Sequence, residues 1–152
     1  MGSCRLVEHG TADYWQTVKL REQILRQPLG LAFSAEELEA EADSFHIAYY
    51  EDKDVVGCLV LKPVNQKQIV MRQVAVAADR QGQGIGRELV IAAEQFAVEH
   101  GFLEMGMHAR ESAAGFYEKL GYKREGERFT QVTLPHFHLR KSLERASTKD
   151  AN

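Results

Sequence analysis

The stretch Met71–Glu88, MRQVAVAADRQGQGIGRE, decides how the rest of the chain is interpreted. It starts with an apolar run, Val74–Val76, that is typical of a strand entering a polar turn. The turn leads into glycines at positions 82, 84 and 86, and apolar residues then recur at helical spacing from Leu89 to Ala97. This order of strand, glycine-rich loop and helix leaves backbone N–H groups uncovered at the helix N-terminus, where a phosphate or pyrophosphate can bind.

The residues around the glycines exclude the two commonest phosphate loops. A P-loop requires Lys followed by Ser or Thr after its last glycine, and here Arg87-Glu88 follows. A dinucleotide fingerprint requires a glycine three residues after Gly84, and that position is Arg87. The remaining pattern, Gln-x-x-Gly-x-Gly at Gln81, Gly84 and Gly86, resembles the acetyl-CoA loop of the GNAT superfamily of acyl-CoA N-acyltransferases. The alternative is a loop that uses glycine only for tight geometry.

A second motif strengthens this resemblance. The stretch Ser112–Tyr122, SAAGFYEKLGY, is similar to the family's Ala-x-x-Phe-Tyr-x-x-Leu-Gly-Phe/Tyr helix. Tyr117 follows Gly86 by 31 residues, which leaves room for one helix and one strand. The resemblance covers about residues 5–143. It implies a single N-acetyltransferase domain over 1–152, with its core at about 5–143 and a polar tail at 144–152.

Composition limits the remaining possibilities. A chain of 152 residues is long enough for one well-packed domain. A net charge of −3 argues against a nucleic-acid partner. Cys4 and Cys58 show no metal-ligand spacing, so we expect free thiols and no metal. No apolar run is as long as a membrane span and no signal peptide is visible, so we expect a cytoplasmic protein without a membrane partner.

Hydrophobic periodicity predicts an α/β (α+β) protein. The expected strands are 5–8, 45–50, 55–61, 68–76, 103–108, 122–126 and 132–143. The expected helices begin at Thr11 or Asp13 and end near 26, then cover 35–43, 84–100 and 113–120, with Ser34 and Ser112 as caps. On the first helix we expect Trp15, Val18, Ile24 and Leu25 to face the core, and on strand 103–108 we expect Leu103, Met105 and Met107 to share one face. The resemblance implies the GNAT fold, a mixed and mostly antiparallel sheet of six or seven strands with helices on both faces, in which strands 68–76 and 103–108 splay apart.

The resemblance also implies the acetyl-CoA site. The backbones of Val74 and Val76 would pair with the pantetheine arm, and the N–H groups from Gln81 to Arg87 would hold the pyrophosphate. The full set of implied cofactor-binding residues is Val74, Ala75, Val76, Gln81, Gly82, Gln83, Gly84, Ile85, Gly86, Arg87, Ser112 and Phe116. Tyr117 occupies the position of the family's general-acid tyrosine, which protonates the departing thiolate. The alternative for Tyr117 is an aromatic residue that packs beside Phe116.

The general base is less evident. Relatives often carry a carboxylate on the central strand, but positions 70 and 72 here are Val and Arg, and no acid lies within 68–76. His108 at the end of the neighbouring strand is the first candidate. Glu111, His136 and His138 are further candidates, and deprotonation through water is equally compatible with the sequence.

Four segments, Leu25–Gly30, Met71–Val76, His108–Arg110 and Val132–Phe137, together look like those of a bacterial ElaA/YjcF-like subgroup of predicted N-acetyltransferases. There Arg72, Arg110 and His136 would line the acceptor pocket and suit a carboxylate or phosphate, unless Arg110 only caps its loop or pairs with Glu111. The expected activity is acetyl transfer from acetyl-CoA to a primary amine of a small molecule, by direct attack in a ternary complex. The alternatives are a non-catalytic acyl-CoA sensing domain and a peptide or protein N-acetyltransferase. The aromatic run around Phe137 permits a homodimer.

Overall fold

The computed structural model describes residues 2–143, and the predicted tail at 144–152 lies outside the described residues. The strands are β1 (Gly2–Val7), β2 (Phe45–Glu51), β3 (Asp54–Pro63), β4 (Gln68–Val76), β5 (Glu104–Arg110), β6 (Lys123–Gln131) and β7 (Leu134–Ser142). The helices are α1 (Ala12–Arg21), α2 (Ala35–Glu39), α3 (Ile85–Glu99) and α4 (Glu111–Lys119). A π-helical turn, Glu22–Arg26, continues α1, and 3₁₀ turns occupy Gln27–Leu29 and Ala78–Arg80. No described helix has both the length and the apolar character needed to cross a membrane.

The strands form one sheet in the order β1-β2-β3-β4-β5-β7-β6. β4 and β5 are parallel, whereas β1–β2, β2–β3, β5–β7 and β6–β7 are antiparallel. This confirms the predicted mixed, mostly antiparallel sheet. The described pairing of β4 with β5 runs from Gln68↔Glu104 to Met71↔Met107. Strands that splay apart can pair over only part of their length, as β4 and β5 do here. That the two strands separate beyond Met71 and Met107 stays a prediction.

The chain divides into two compact units, and the first contains residues 2–62 and 72–93. Its core brings α1 against one face of β1 to β4 through Val7, Tyr14, Val18, Leu20, Ala48, Tyr50, Cys58 and Ala75. Thr11 begins α1 as predicted, because its hydroxyl accepts the Tyr14 N–H at 3.2 Å. The expectation that Trp15 faces the core is wrong, since its side chain is 51% exposed. The buried stripe instead follows positions 14, 17, 18 and 21, and residue 15 lies outside it.

The opposite face of β3 lies under the start of α3. A Cβ added to Gly57 would lie 3.0 Å from both Cγ2 of Ile85 and Cδ1 of Leu89. Cys58, the next residue, faces the α1 core instead, because successive side chains of a strand point to opposite faces. Helices therefore cover both faces of the sheet within this unit, as predicted.

We expect Gly57→Val to destabilise the first unit, because the new methyl groups would force Ile85 and Leu89 away from β3. Overpacking of this kind costs about 1–3 kcal/mol of the free energy of unfolding, which urea titration measures. Gly115→Ala is the matched control: its Cβ meets nothing within 4 Å inside α4. Alanine there should stabilise the protein by roughly 0.5–1 kcal/mol. Equal stability of Gly57→Val and wild type would contradict the close approach of α3.

The second unit contains residues 63–71 and, within the described part, 94–143. Glu94 on α3 joins several elements of this unit, because its carboxylate accepts hydrogen bonds from the Tyr122 hydroxyl at 2.8 Å and from Lys141 Nζ at 3.0 Å. Lys141 Nζ also donates to the Leu120 carbonyl at 2.8 Å. These bonds tie α3, β7 and the end of α4 together.

Three local predictions for this unit are wrong. Ser112 does not cap α4, because the helix starts directly after β5, with Arg110 as the N-cap residue. Leu103 lies before β5 rather than on its buried face, and its side chain is 37% exposed. The last strand begins at Leu134 instead of 132, since Val132 and Thr133 have φ values of 50° and 64° and form the two-residue turn between β6 and β7.

Candidate functional site

The glycine-rich loop of the first unit leads directly into α3. Gly82 and Gly84 have φ values of 81° and 85°, a left-handed conformation that glycine adopts without strain. A Cβ at either position would meet nothing within 4 Å, so their role is backbone conformation and not packing. Residues 81–84 are exposed, and the helix begins at Ile85. The loop can therefore present its N–H groups and the positive end of a 15-residue helix to an anion.

Side chains fix this loop to the strands that precede it. Gln81 Nε2 donates to the Val76 carbonyl at 3.0 Å, and Arg80 Nε donates to Oε1 of Glu51 at 2.7 Å. The Ala77 N–H donates to the Val56 carbonyl at 2.8 Å. The Val76 carbonyl thus has one acceptor position filled by the chain itself, which restricts how a ligand can pair with this end of β4.

The part of β4 next to the loop carries an irregular residue. Gln73 has a φ of 54°, which is uncommon for a residue other than glycine. Ala75 is buried, whereas Val74 and Val76 are half-buried and Arg72 is exposed. The cofactor-binding residues predicted in this unit follow one another along the end of β4, the loop and the start of α3. They are residues 74–76 and 81–87.

A buried polar network lies beside Gln73, and the sequence analysis did not identify it. Arg21 is 0% exposed, and its Nη1 donates at 2.6 Å to both Oε2 of Glu41 and Oε1 of Gln73. Its Nη2 donates to Oε1 of Glu41 at 2.9 Å, and the Tyr14 hydroxyl donates to the same oxygen at 2.7 Å. Burial alone would raise the pKa of Glu41, but the hydrogen bonds and charge of Arg21 outweigh it and hold that pKa below its usual value. A signal for burial was present, because Arg21 continues the helical stripe of Tyr14, Thr17 and Val18.

Tyr117 lies on the buried side of α4 in the second unit. Its side chain is 8% exposed, and burial raises its pKa above the usual value for a phenol. Phe116 is exposed, with its ring centroid 4.9 Å from that of Tyr117, and Ser112 is also exposed. Tyr117 therefore stays protonated over the whole range in which enzymes usually work, so its hydroxyl can donate a proton or hydrogen bond.

A group of histidines lies on β5 and β7. His108 faces His138 directly in the register, with ring centroids 4.4 Å apart, and Arg110 faces His136. His108 Nδ1 is 3.0 Å from Oε1 of Gln131, an acceptor that places the proton of the neutral ring on Nδ1. His108 Nε2 is then the basic atom. His108 is exposed, whereas His136 is buried and donates from Nδ1 to the Leu134 carbonyl at 2.9 Å.

The other predicted residues are distributed as follows. The Glu111 carboxylate accepts from Arg128 Nη1 at 3.0 Å. Arg110 and His136 lie together in the second unit, whereas Arg72 belongs to the first, so the pocket expected from all three stays a prediction. Within residues 2–143, no three His, Cys, Asp or Glu side chains are grouped closely enough to hold a metal ion.

Comparison with known proteins identifies relatives of the chain. A model of the acetyltransferase (GNAT) family matches residues 10–122. The uncharacterized protein YyaT of Bacillus subtilis is 26% identical over 148 residues, covering 90% of this chain and 94% of that protein. Escherichia coli ElaA has a TM-score of 0.79 at 15% identity, covering 93% of this chain and 99% of its own. A GNAT family acetyltransferase from Elizabethkingia anophelis, solved with acetyl-CoA bound, has a TM-score of 0.72 at 18% identity, with coverage of 93% and 97%.

The match of the family model confirms the family that the two motifs indicated, and the structural neighbours confirm the predicted fold. The family match includes the glycine-rich loop and the helix that carries Tyr117. The chain therefore belongs to the acetyltransferase (GNAT) family and is an N-acetyltransferase.

Proposed function

We propose that this protein transfers the acetyl group of acetyl-CoA to a primary amine of a small molecule, by direct attack in a ternary complex. The observation that carries the proposal is the loop at 81–84, whose left-handed glycines leave the N-terminus of α3 open to an anionic ligand. The acetyl-CoA held by the Elizabethkingia anophelis relative supports the identity of that ligand.

In this proposal each part of the chain has a distinct role. The N–H groups from Gln81 to Arg87 hold the pyrophosphate, with Gly82, Gln83, Gly84, Ile85 and Gly86 between them, and Ser112 and Phe116 contribute from α4. The backbones of Val74 and Val76, on either side of Ala75, align the pantetheine arm. Because Gln81 occupies one acceptor position of the Val76 carbonyl, we assign most of this alignment to Val74. Bound acetyl-CoA supplies a thioester carbonyl for the amine to attack.

Tyr117 is proposed as the group that stabilises the departing thiolate. With ordinary pKa values, complete proton transfer from a phenol to a thiolate is uphill by roughly 2 kcal/mol. Burial raises the pKa of Tyr117, so complete transfer is more unfavourable still. The hydroxyl therefore contributes mainly as a hydrogen-bond donor to the sulfur while negative charge develops on it.

His108 is proposed as the base that takes the proton of the attacking amine. Deprotonating a lysine-like amine at pH 7 costs roughly 4.6 kcal/mol, so a positioned base has a large effect. The bond between Nδ1 and Gln131 orients the ring and leaves Nε2 as the basic atom. Transfer to water is the competing route.

Arg72, Arg110 and His136 are proposed to select the acceptor. Arg110 and His136 face each other across β5 and β7, and guanidinium groups bind carboxylate or phosphate through two parallel hydrogen bonds. An amine that also carries an anionic group is therefore the expected acceptor.

A thiol-release assay with acetyl-CoA tests the proposal. The acceptors are polyamines, amino acids, aminoglycosides, amino sugars and short peptides, and calorimetry measures acetyl-CoA binding in parallel. Thiol release with one class of small amine supports the proposal, and release with peptides alone would identify a peptide N-acetyltransferase. Acetyl-CoA binding without release from any acceptor would favour a sensing domain, which the lack of an acidic residue on β4 also favours. No binding would overturn the proposal.

We expect His108→Gln to lower kcat/KM about 100-fold at pH 7, the lower end of the effect of a general base. The acid limb of the pH profile should disappear in the variant, because a protonated histidine no longer removes protons. His138→Gln is the control, because it changes the ring opposite His108 and leaves the bond to Gln131 in place. An unchanged acid limb in His108→Gln would overturn this role and leave water or one of the other candidates, Glu111, His136 and His138, as the route of deprotonation.

A homodimer through the last strands remains part of the proposal. Phe137 on β7 is half-buried and has the Arg124 guanidinium 4.1 Å above its ring centroid. Light scattering of the purified protein determines whether it is a monomer or a dimer.

A further inference from the structure

The Arg21 guanidinium makes a hydrogen bond to Gln73 in addition to its ion pair with Glu41. Two bonds to Glu41 already form a bidentate ion pair in the core of the first unit. The third bond, 2.6 Å from Nη1 to Oε1 of Gln73, reaches β4 instead. Gln73 is also the β4 residue with a positive φ, so the bond ends at the irregular point of the strand.

The conformation of Gln73 needs such support. A residue with a side chain at a φ of 54° is strained, and it keeps that conformation only when its surroundings fix it. A φ of this sign changes the direction of the N–H and C=O groups that follow, which are those of Val74 to Val76. The amide side chain is fixed at one end by the backbone and at the other by a guanidinium that is itself fixed by Glu41.

We propose that Arg21 is a positioning residue that holds Gln73 in the left-handed conformation and thereby aims the backbone of Val74–Val76 at the cofactor. This inference rests on the proposed use of acetyl-CoA. Arg21 touches no substrate in this role and acts through Gln73, while its two bonds to Glu41 fix the guanidinium. The three side chains come from α1, the segment after α2, and β4, so the fold of the first unit sets the geometry of the strand that would bind the cofactor.

Variants of Gln73 test the positioning role without breaking the buried ion pair. Gln73→Leu replaces the amide by a branched apolar side chain that accepts no hydrogen bond, so we expect its backbone to relax towards the extended conformation. Loss of a hydrogen bond to a charged group should raise the Kd for acetyl-CoA about tenfold. Gln73→Gly lacks the bond too, but glycine adopts positive φ without strain, so binding should recover most of this loss.

Tyr14→Phe is the control for a structural role. It removes a bond to Glu41 and leaves the bond from Arg21 to Gln73 in place, so Tm should fall while the Kd for acetyl-CoA stays at the wild-type value. Calorimetry with acetyl-CoA gives Kd, and thermal unfolding of the same samples gives Tm. Amide hydrogen exchange of residues 72–76 should be faster in Gln73→Leu than in Tyr14→Phe.

The outcomes separate this inference from the proposed function. Wild-type protein that fails to bind acetyl-CoA overturns the proposed function and the positioning role together. Binding by the wild type, with the same Kd in Gln73→Leu, overturns the positioning role alone. A weaker Kd in Gln73→Leu that Gln73→Gly does not restore would also overturn it, because the side chain and not the backbone conformation would then be responsible.

Discussion

Replacing Tyr117 by Phe is expected to lower kcat about 100-fold, the lower end of the range for removing a hydrogen-bond donor from a site of developing negative charge. The variant loses the hydroxyl proposed to stabilise the departing thiolate, whereas the buried ring remains in place. The Kd for acetyl-CoA should stay close to the wild-type value, because the effect is confined to the transition state. Thiol release measures kcat and calorimetry measures Kd.

The matched control for Tyr117 is Tyr122→Phe. The Tyr122 hydroxyl donates to Glu94 at 2.8 Å and has no proposed part in acetyl transfer. Its removal should lower the free energy of unfolding by about 1 kcal/mol, the typical net contribution of one hydrogen bond, and leave kcat unchanged. If both variants kept full activity, Tyr117 would be a packing residue beside Phe116 and not the proposed hydrogen-bond donor to the departing sulfur.

Arg21→Met is expected to reduce the free energy of unfolding by about 3–5 kcal/mol, the usual result of removing one partner of a buried ion pair. Glu41 is 7% exposed and would keep only the hydrogen bond from Tyr14. A loss of this size is a large part of the total stability of a small domain. Urea titration at pH 7 measures it, and the double variant Arg21→Met/Glu41→Leu should recover much of the loss because no unpaired carboxylate remains.

The pH dependence of that loss follows from the pKa of Glu41. In the wild type this pKa is below its unfolded value, so the pair contributes stability at neutral pH that is lost as the pH falls through the folded-state pKa. In Arg21→Met burial favours the protonated form of the Glu41 carboxyl, and only the Tyr14 hydrogen bond and the charge interaction with His46 oppose it. The difference in stability between the two proteins should therefore shrink from pH 7 to about pH 4. An unchanged difference over this range would contradict a role for ionised Glu41.

Local patterns predicted the regular elements near the glycine-rich loop well. β4 has the bounds expected from its apolar pattern, and α3 buries Leu89, Phe96 and Ala97 as its helical spacing indicated. Glycines followed by a periodic apolar face are strong signals because both depend on nearby residues alone. For the same reason Ser34 caps α2 as predicted, and it does so in a capping box with Glu37.

The wrong predictions concern features that are set by contacts between elements and not by the local sequence. Trp15 is apolar but lies outside the stripe in which Tyr14 and Val18 already fill the core. Ser112 is a good capping residue, yet α4 starts at Glu111 directly after β5, so the N-cap position falls on Arg110. Val132 and Thr133 favour strands, but the turn between β6 and β7 uses them at positive φ.

The buried network was beyond sequence reasoning for a different reason. Arg21, Glu41 and Gln73 are separated by up to 52 residues and meet only after folding. Each residue type is usually exposed, so composition assigns all three to the surface, although helical periodicity places Arg21 on the buried stripe of α1. They can be buried because Arg21 donates hydrogen bonds to both Glu41 and Gln73, and none of the three residues alone indicates this.

We expect the two cysteines to react only slowly with thiol reagents. Cys58 is buried, and its burial raises the thiol pKa to about 12. Cys4 is partly buried, and its burial and the charge of Glu88 raise its pKa to about 11. Thiolates are the reactive species, so at neutral pH neither side chain should be alkylated or oxidised readily. A colorimetric reagent would then report the coenzyme product almost without background from the polypeptide, and the protein could be stored in air without reductant.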